Sequence, residues 1–148
     1  MREYRHIVRI AGKDIDGTKK LVYGLTNIKG VGISLANAIV NALNLNPNLR
    51  IGNLTEEDVA KIEGALSDPL KYGLPTWLLN RGKDLTTGRD VHLIGSDLEL
   101  RTKMDIDLMK SIKSWKGVRH ALGLKVRGQR TRTTGRKGKT VGVRKKRR

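Results

Sequence analysis

Apolar residues recur at helical spacing in four stretches of this chain and lose that rhythm in one long stretch between them. Leu21, Val22 and Leu25 share a stripe within Lys19 to Thr26, behind Asp16-Gly17-Thr18 as turn and cap, which predicts a short helix. After Lys29-Gly30-Val31-Gly32, the set Leu35, Ala36, Ile39, Val40 and Leu43 predicts an amphipathic helix that Asn46-Pro47-Asn48 should end. Thr55-Glu56-Glu57-Asp58 opens a third helix with acids suited to the positive end of its dipole. Val59, Ile62, Ala65 and Leu66 form its apolar side, and Asp68-Pro69 stops it. From Gly73 to Ile94 the pattern is irregular, with a turn of helix expected over Pro75 to Leu79 and a hairpin tip at Thr86-Thr87-Gly88 between Lys83 and Leu93. Ser96-Asp97-Leu98-Glu99 reads as a capping box, after which Met104, Leu108, Met109, Ile112 and Trp115 predict a long helix to about Lys116. Gly117 should then bend the chain into one more short helix.

These elements predict an all-α, mainly helical fold. A helical body over 1–115, carrying a small hairpin-like insertion at about 73–95, should be followed by a basic segment at 116–129 and an extended basic tail at 130–148. The chain has 148 residues, the size of one modest domain, and 37% apolar residues with no Phe, so its core must be thin and built from Leu, Ile, Val, Ala and Met. Cysteine is absent, which excludes disulfides and thiolate metal sites and is compatible with a reducing compartment. No apolar run approaches a membrane span, and the start lacks an apolar signal region; a soluble, intracellular protein without a membrane partner is expected.

Charge turns this outline into a functional expectation. The formal net charge is +17, yet through Asp107 there are 15 basic and 14 acidic side chains, and beyond it 16 basic and no acidic ones. A solvated surface intersperses acids with bases; segregation of this kind points to a polyanion, with nucleic acid the first candidate. The tail from Val126 is made of basic residues, Gly, Thr and Val, too little apolar surface to offset the entropy of ordering, so it should order on its partner. It holds no aromatic residue, which favours contact with backbone and shape over stacking on unpaired bases. A localisation run or a membrane-seeking patch would be shorter or sit beside an amphipathic helix.

The glycine-bounded turn Ile28-Lys29-Gly30-Val31-Gly32 between two helices resembles the helix-hairpin-helix of binders that read no base sequence. Gly30 and Gly32 would let the backbone approach a phosphate, the amides opening the second helix would point at it, and Lys29 would add charge. Two glycines can also simply make a tight turn. The same residues fail as a dinucleotide fingerprint, because Leu35 stands where a third glycine is needed; Gly138-Lys139-Thr140 fails as a P-loop, because Thr133 stands where the first glycine belongs. His6, His92 and His120 lack ligand spacing, and no residue pattern calls for catalysis, a metal or a cofactor. Arg119, Arg127, Arg130, Arg132, Arg136, Lys137 and Lys139 are the residues expected to neutralise phosphates.

The segment Lys116-Gly117-Val118-Arg119-His120-Ala121-Leu122-Gly123-Leu124-Lys125-Val126-Arg127-Gly128-Gln129 closely resembles the signature of the universal small-subunit ribosomal protein thirteen family. So do Arg9-Ile10-Ala11-Gly12, the Ile28 to Ala36 turn and Thr131 to Gly138; the Pro75 to Gly95 insertion and the Thr140-Val141-Gly142-Val143 ending are similar to archaeal and eukaryotic members. The resemblance implies a body of helix–two-turn–helix character and a non-enzymatic, cytoplasmic ribosomal role. It implies contact with ribosomal RNA in the head of the small subunit, with Lys116, His120 and Gln129 joining the phosphate-binding set. It also implies small-subunit ribosomal protein nineteen and large-subunit bridge elements as neighbours, and a tail, Arg144, Lys145, Lys146, Arg147 and Arg148, close to peptidyl-site transfer RNA. From composition alone, a helix-hairpin-helix DNA-binding or chromatin protein stays open, and a repair enzyme would need a catalytic Lys or Asp beside the hairpin.

Overall fold

The computed structural model describes residues 4–133 together with 138 and 142. The chain divides into two compact units, Met1–Leu100 and Arg101–Arg148. The first contains the core. Its helices are α1 (Leu21–Leu25), α2 (Ile33–Ala42) and α3 (Glu56–Ser67), with 3-10 turns at Ile51–Asn53, Pro69–Tyr72 and Thr76–Leu78. Helix α4 (Gly95–Ser111) begins in this unit and ends in the second, which also holds α5 (Trp115–Ala121).

The all-α expectation needs correction at the start of the chain. Strands β1 (Ile7–Ile10) and β2 (Lys13–Asp16) form an antiparallel hairpin in which Val8 faces Ile15. Val8, Ile10 and Ile15 are buried while Ile7 and Arg9 face outward, so the hairpin supplies one wall of the core. Its two-residue loop, Ala11-Gly12, has positive φ at both positions, as the twist of a tight hairpin demands. The Ala11 amide donates to Glu63 Oε1 at 2.8 Å, which ties the loop to α3. Asp16-Gly17-Thr18 is a turn, with Asp16 accepting from the Thr18 amide and hydroxyl, but it does not cap α1; Lys20 flanks that helix.

The predicted apolar stripes meet around this wall. Leu21, Val22 and Leu25 of α1, Leu35, Ala36, Ile39 and Val40 of α2, and Ile62, Ala65 and Leu66 of α3 are all buried, joined by Ile28, Val31, Ile51, Leu54 and Leu74. Fully burying an aliphatic side chain is worth about 1.5–3 kcal/mol, so these positions carry the fold. Helix α3 starts as its sequence predicts. Thr55 Oγ1 accepts from the Asp58 amide at 3.1 Å, and Asp58 Oδ2 accepts from the Thr55 amide at 3.3 Å.

Two helices end before the residues the sequence marks as their ends, for one geometric reason. In α2, Asn44 takes a φ of +52°, and the amides of Asn44 and Leu45 turn back to the carbonyls of Asn41 and Val40; Asn44, not Asn46-Pro47, ends the helix. In α4, Lys113 takes a φ of +55°, and the amides of Lys113 and Ser114 bond the carbonyls of Lys110 and Met109. The predicted long helix is therefore two helices, broken before Trp115. Gly117 does not make the bend. It lies inside α5, where a Cβ would fall 2.0 Å from the Met109 carbonyl oxygen, so the glycine is what lets α5 pack on the end of α4. At its other end, α4 begins at Gly95, which places Ser96 within the first turn rather than before it, and Glu99 pairs with Lys29 instead of completing a capping box.

Within the insertion, one antiparallel bridge joins Arg81 to Val91, and a buried carboxylate lies between them in sequence. Asp84, 4% exposed, accepts from Arg81 Nε at 2.5 Å, Thr86 Oγ1 at 2.6 Å and Thr87 Oγ1 at 3.1 Å, so the loop folds around it. Thr55→Ala, which removes one half of the α3 cap, is expected to lower unfolding free energy by about 1 kcal/mol, with Thr55→Ser close to neutral. Denaturant melts of the three proteins check this, and equal midpoints for all three would show that the cap contributes nothing.

Candidate nucleic-acid interface

The glycine-bounded turn is a fixed structure. Ile28 and Val31 are buried and anchor it from below, leaving Lys29, Gly32, Ile33 and Ser34 at the surface. Gly32 flanks α2 with no side-chain cap, no acid lies in the first turn of that helix, and the space beside Gly32 is open. The first amides of α2 are thus presented to solvent with the positive end of a ten-residue helix behind them, a geometry that suits an anion.

Gly30 has a different position. Its φ is +96°, and a Cβ there would lie 2.4 Å from the Leu93 carbonyl oxygen, because the end of the insertion packs on this side of the turn. The Gly95 amide donates to the Lys29 carbonyl at 2.9 Å, and the Asn80 side chain clamps the Leu93 backbone, donating to its carbonyl at 2.6 Å and accepting from its amide at 2.9 Å. Lys29 pairs with Glu99 of α4, and that hydrogen bond and charge hold the Glu99 carboxyl below its ordinary range. Both side chains are exposed, so the pair can be exchanged for another anion at little cost. The cleft next to it, about 610 Å³, is lined by Lys13 and Lys29 but also by Glu63, Asp97 and Glu99, a balance that offers a phosphate no net attraction.

His92 sits beneath the same contact, 7% exposed. Its Nδ1 accepts from the Asn80 amide at 3.3 Å, which places the proton of the neutral ring on Nε2, and Nε2 has no hydrogen-bond partner. Burial pushes the imidazole below its ordinary value, opposed by the nearby Gly30 backbone. Sequence spacing gives His92 no part as a ligand; its role in the fold is to seat the insertion on the turn.

The signature segment forms the second unit's surface. Ser114 caps α5, accepting from the Gly117 amide at 3.1 Å while donating to the Met109 carbonyl at 3.0 Å. The helix closes with the Gly123 amide on the His120 carbonyl and the Leu124 amide on the Arg119 carbonyl. Lys116, Arg127, Gln129, Arg130 and Arg132 are exposed, Arg119 and His120 half-buried. Arg119 Nε donates to the Lys125 carbonyl at 2.9 Å, and its guanidinium carbon lies 5.6 Å from the centre of the Trp115 ring. Residues 122–133 contain no helix or strand. Arg136, Lys137, Lys139 and Arg144 to Arg148 lie outside the described residues. Lys29, Gly30 and Gly32 belong to the first unit and the remaining candidates to the second. The spacing of Trp115 marks it as an inward-facing helix position; it is 75% exposed, and only its pairing with Arg119, four residues on, could suggest otherwise from sequence.

An exposed, uncapped helix start behind a glycine turn in the first unit, and exposed Arg and Lys side chains in the second, are arrangements that suit polyanionic ligands. Comparison with known proteins makes this specific. Residues 9–137 match the family profile of ribosomal protein S13/S18. The chain is 63% identical over 147 residues, 99% of its length and 97% of the relative's, to small ribosomal subunit protein uS13 of Staphylothermus marinus. It is 56% identical to the uS13 of Hyperthermus butylicus, over 97% of this chain and 95% of that one, and 51% identical to that of Methanothermobacter thermautotrophicus, over 99% and 98%. The chain belongs to the ribosomal protein S13/S18 family, and these relatives are archaeal, in keeping with the insertion and ending read from the sequence.

The lowered His92 value makes stability depend on pH in a defined direction. Between the folded value and the ordinary 6.5, the unfolded chain binds more protons, so stability rises with pH across that window and is lost as pH falls through the folded value. Denaturation midpoints are expected to drop between about pH 7.5 and about pH 5.5, and to drop less in His92→Gln. An equal drop in both proteins would place the titration elsewhere.

Proposed function

We propose that this chain is a non-catalytic, cytoplasmic component of the small ribosomal subunit that binds ribosomal RNA in the subunit's head during translation. The observation that carries this reading is the segregation of charge, 16 basic and no acidic residues after Asp107, in a chain whose relatives are named as small ribosomal subunit proteins. The body places the molecule through the Gly32 end of α2, with Lys29 exchanging Glu99 for phosphate; Gly30 keeps the turn in shape beneath the insertion. Lys116, Arg119, His120, Arg127, Gln129, Arg130 and Arg132 supply the main contacts, continued by Arg136, Lys137 and Lys139. The segment 116–129 acts as anchor, and 130–148 as an extension ordered by its partner. Family resemblance adds small-subunit ribosomal protein nineteen and large-subunit bridge elements as neighbours, and the last five basic residues, Arg144 to Arg148, near peptidyl-site transfer RNA. No metal or cofactor enters this reading.

Exposed Arg127 provides the test. Removing one phosphate-neutralising side chain should lower the magnitude of the slope of log affinity against log salt by about 0.7 to 0.9. Arg127→Ala should show that decrease on small-subunit ribosomal RNA, and Arg127→Lys a smaller fall in affinity. Unchanged affinity and slope would remove Arg127 from the interface. Binding duplex DNA as tightly as the RNA at equal salt would favour a general helix-hairpin-helix DNA binder instead.

A further inference from the structure

The second unit carries an aromatic feature that neither its charge nor its backbone hydrogen bonds require. Among the described residues of 101–148 no apolar side chain is buried, and Trp115 is three-quarters exposed. Its position is nonetheless fixed. It is the first residue of α5, its backbone held between the Ser114 cap and a helix whose Gly117 packs on the Met109 carbonyl.

Arg119 lies over the ring from the next turn. Its Nε is committed to the Lys125 carbonyl, so the planar guanidinium is held in place while Nη1 and Nη2 remain for an outside acceptor. A guanidinium held over one side of a largely exposed indole suits one ligand chemistry: a nucleobase against the ring and, one ribose away, a phosphate oxygen for the guanidinium N–H groups. The surroundings select the charge of that ligand, since the segment from residue 108 onward carries no acid.

We propose that Trp115 and Arg119 form a nucleotide clamp, in which Trp115 stacks on an unpaired RNA base while the Nη groups of Arg119 hold its phosphate. This deepens the RNA-binding reading and rests on it. It adds recognition of a base to an interface otherwise built on phosphates, and it lies just ahead of the aromatic-free tail.

Trp115 and Trp77 are the two tryptophans of the chain, so in a full-length Trp77→Phe protein the emission reports on Trp115 alone. The probes are a short single-stranded oligoadenylate and an RNA duplex of the same length. The expected result is saturable quenching of Trp115 by the single strand, with much weaker quenching by duplex at equal occupancy. Trp115→Leu, which keeps an apolar side chain but has no ring face, should weaken single-strand binding roughly 5- to 150-fold with the salt slope unchanged. Trp115→Phe should recover most of the affinity, and Arg119→Gln should lower the salt slope by about 0.7. If RNA binds with its normal slope while Trp115 emission stays silent and Trp115→Leu binds like the parent, the clamp is overturned. If the parent protein binds no RNA at all, the RNA-binding reading falls with it.

Discussion

Aliphatic burial within the first half of the chain is the constraint on which everything else rests. With no Phe to fill space, Leu, Ile, Val and Ala must interdigitate closely, and among the described residues the buried apolar side chains all lie between Val8 and Leu74. Helices α1 and α2, the hairpin and α3 close on one another there. That closure holds Ile28 and Val31, and through them the turn that exposes the first amides of α2. It also frees the later part of the chain from any need to build a core, and among the described residues beyond Asp107 no basic side chain is buried.

A second layer of order sits on this core. The insertion folds around Asp84, is clamped at Leu93 by Asn80, and is joined to the turn by the Gly95 amide. His92 underlies the contact in its neutral form. The turn is therefore shaped from two sides, from below by apolar side chains and from above by backbone, and Gly30 is required by the second. Where the sequence alone suggests a glycine for a phosphate to approach, the fold uses Gly30 for the approach of Leu93 and leaves Gly32 open.

Much of this is legible in the sequence. Helices α1, α2 and α3 follow from stripes of three to five apolar residues, because a helix that packs on a core must repeat its apolar face. The hairpin is not legible: its strands are four residues each, β2 has a single apolar residue, Ile15, and Ala11-Gly12 lacks the Asn or Asp that usually marks such a turn. The stops of α2 and α4 escape the pattern because Asn44 and Lys113 terminate by left-handed backbone rather than by proline or glycine. Trp115 falls in with α4 for that reason, since its spacing continues a stripe that the Lys113 break interrupts. The basic surface is plain from charge alone, but charge cannot say that Arg119 is pinned against an aromatic ring.

On the proposed function the two units carry separate tasks, a packed scaffold in the first and RNA affinity in the second. Amide hydrogen exchange along the full chain, alone and on the small ribosomal subunit, tests that separation most directly. In the free protein, α1, α2, α3 and the hairpin should be strongly protected and residues 115–133 weakly, and assembly should add protection mainly to 115–133 and to the amides opening α2. Equal protection of 115–133 in both states, with the gain confined to the aliphatic core, would contradict it.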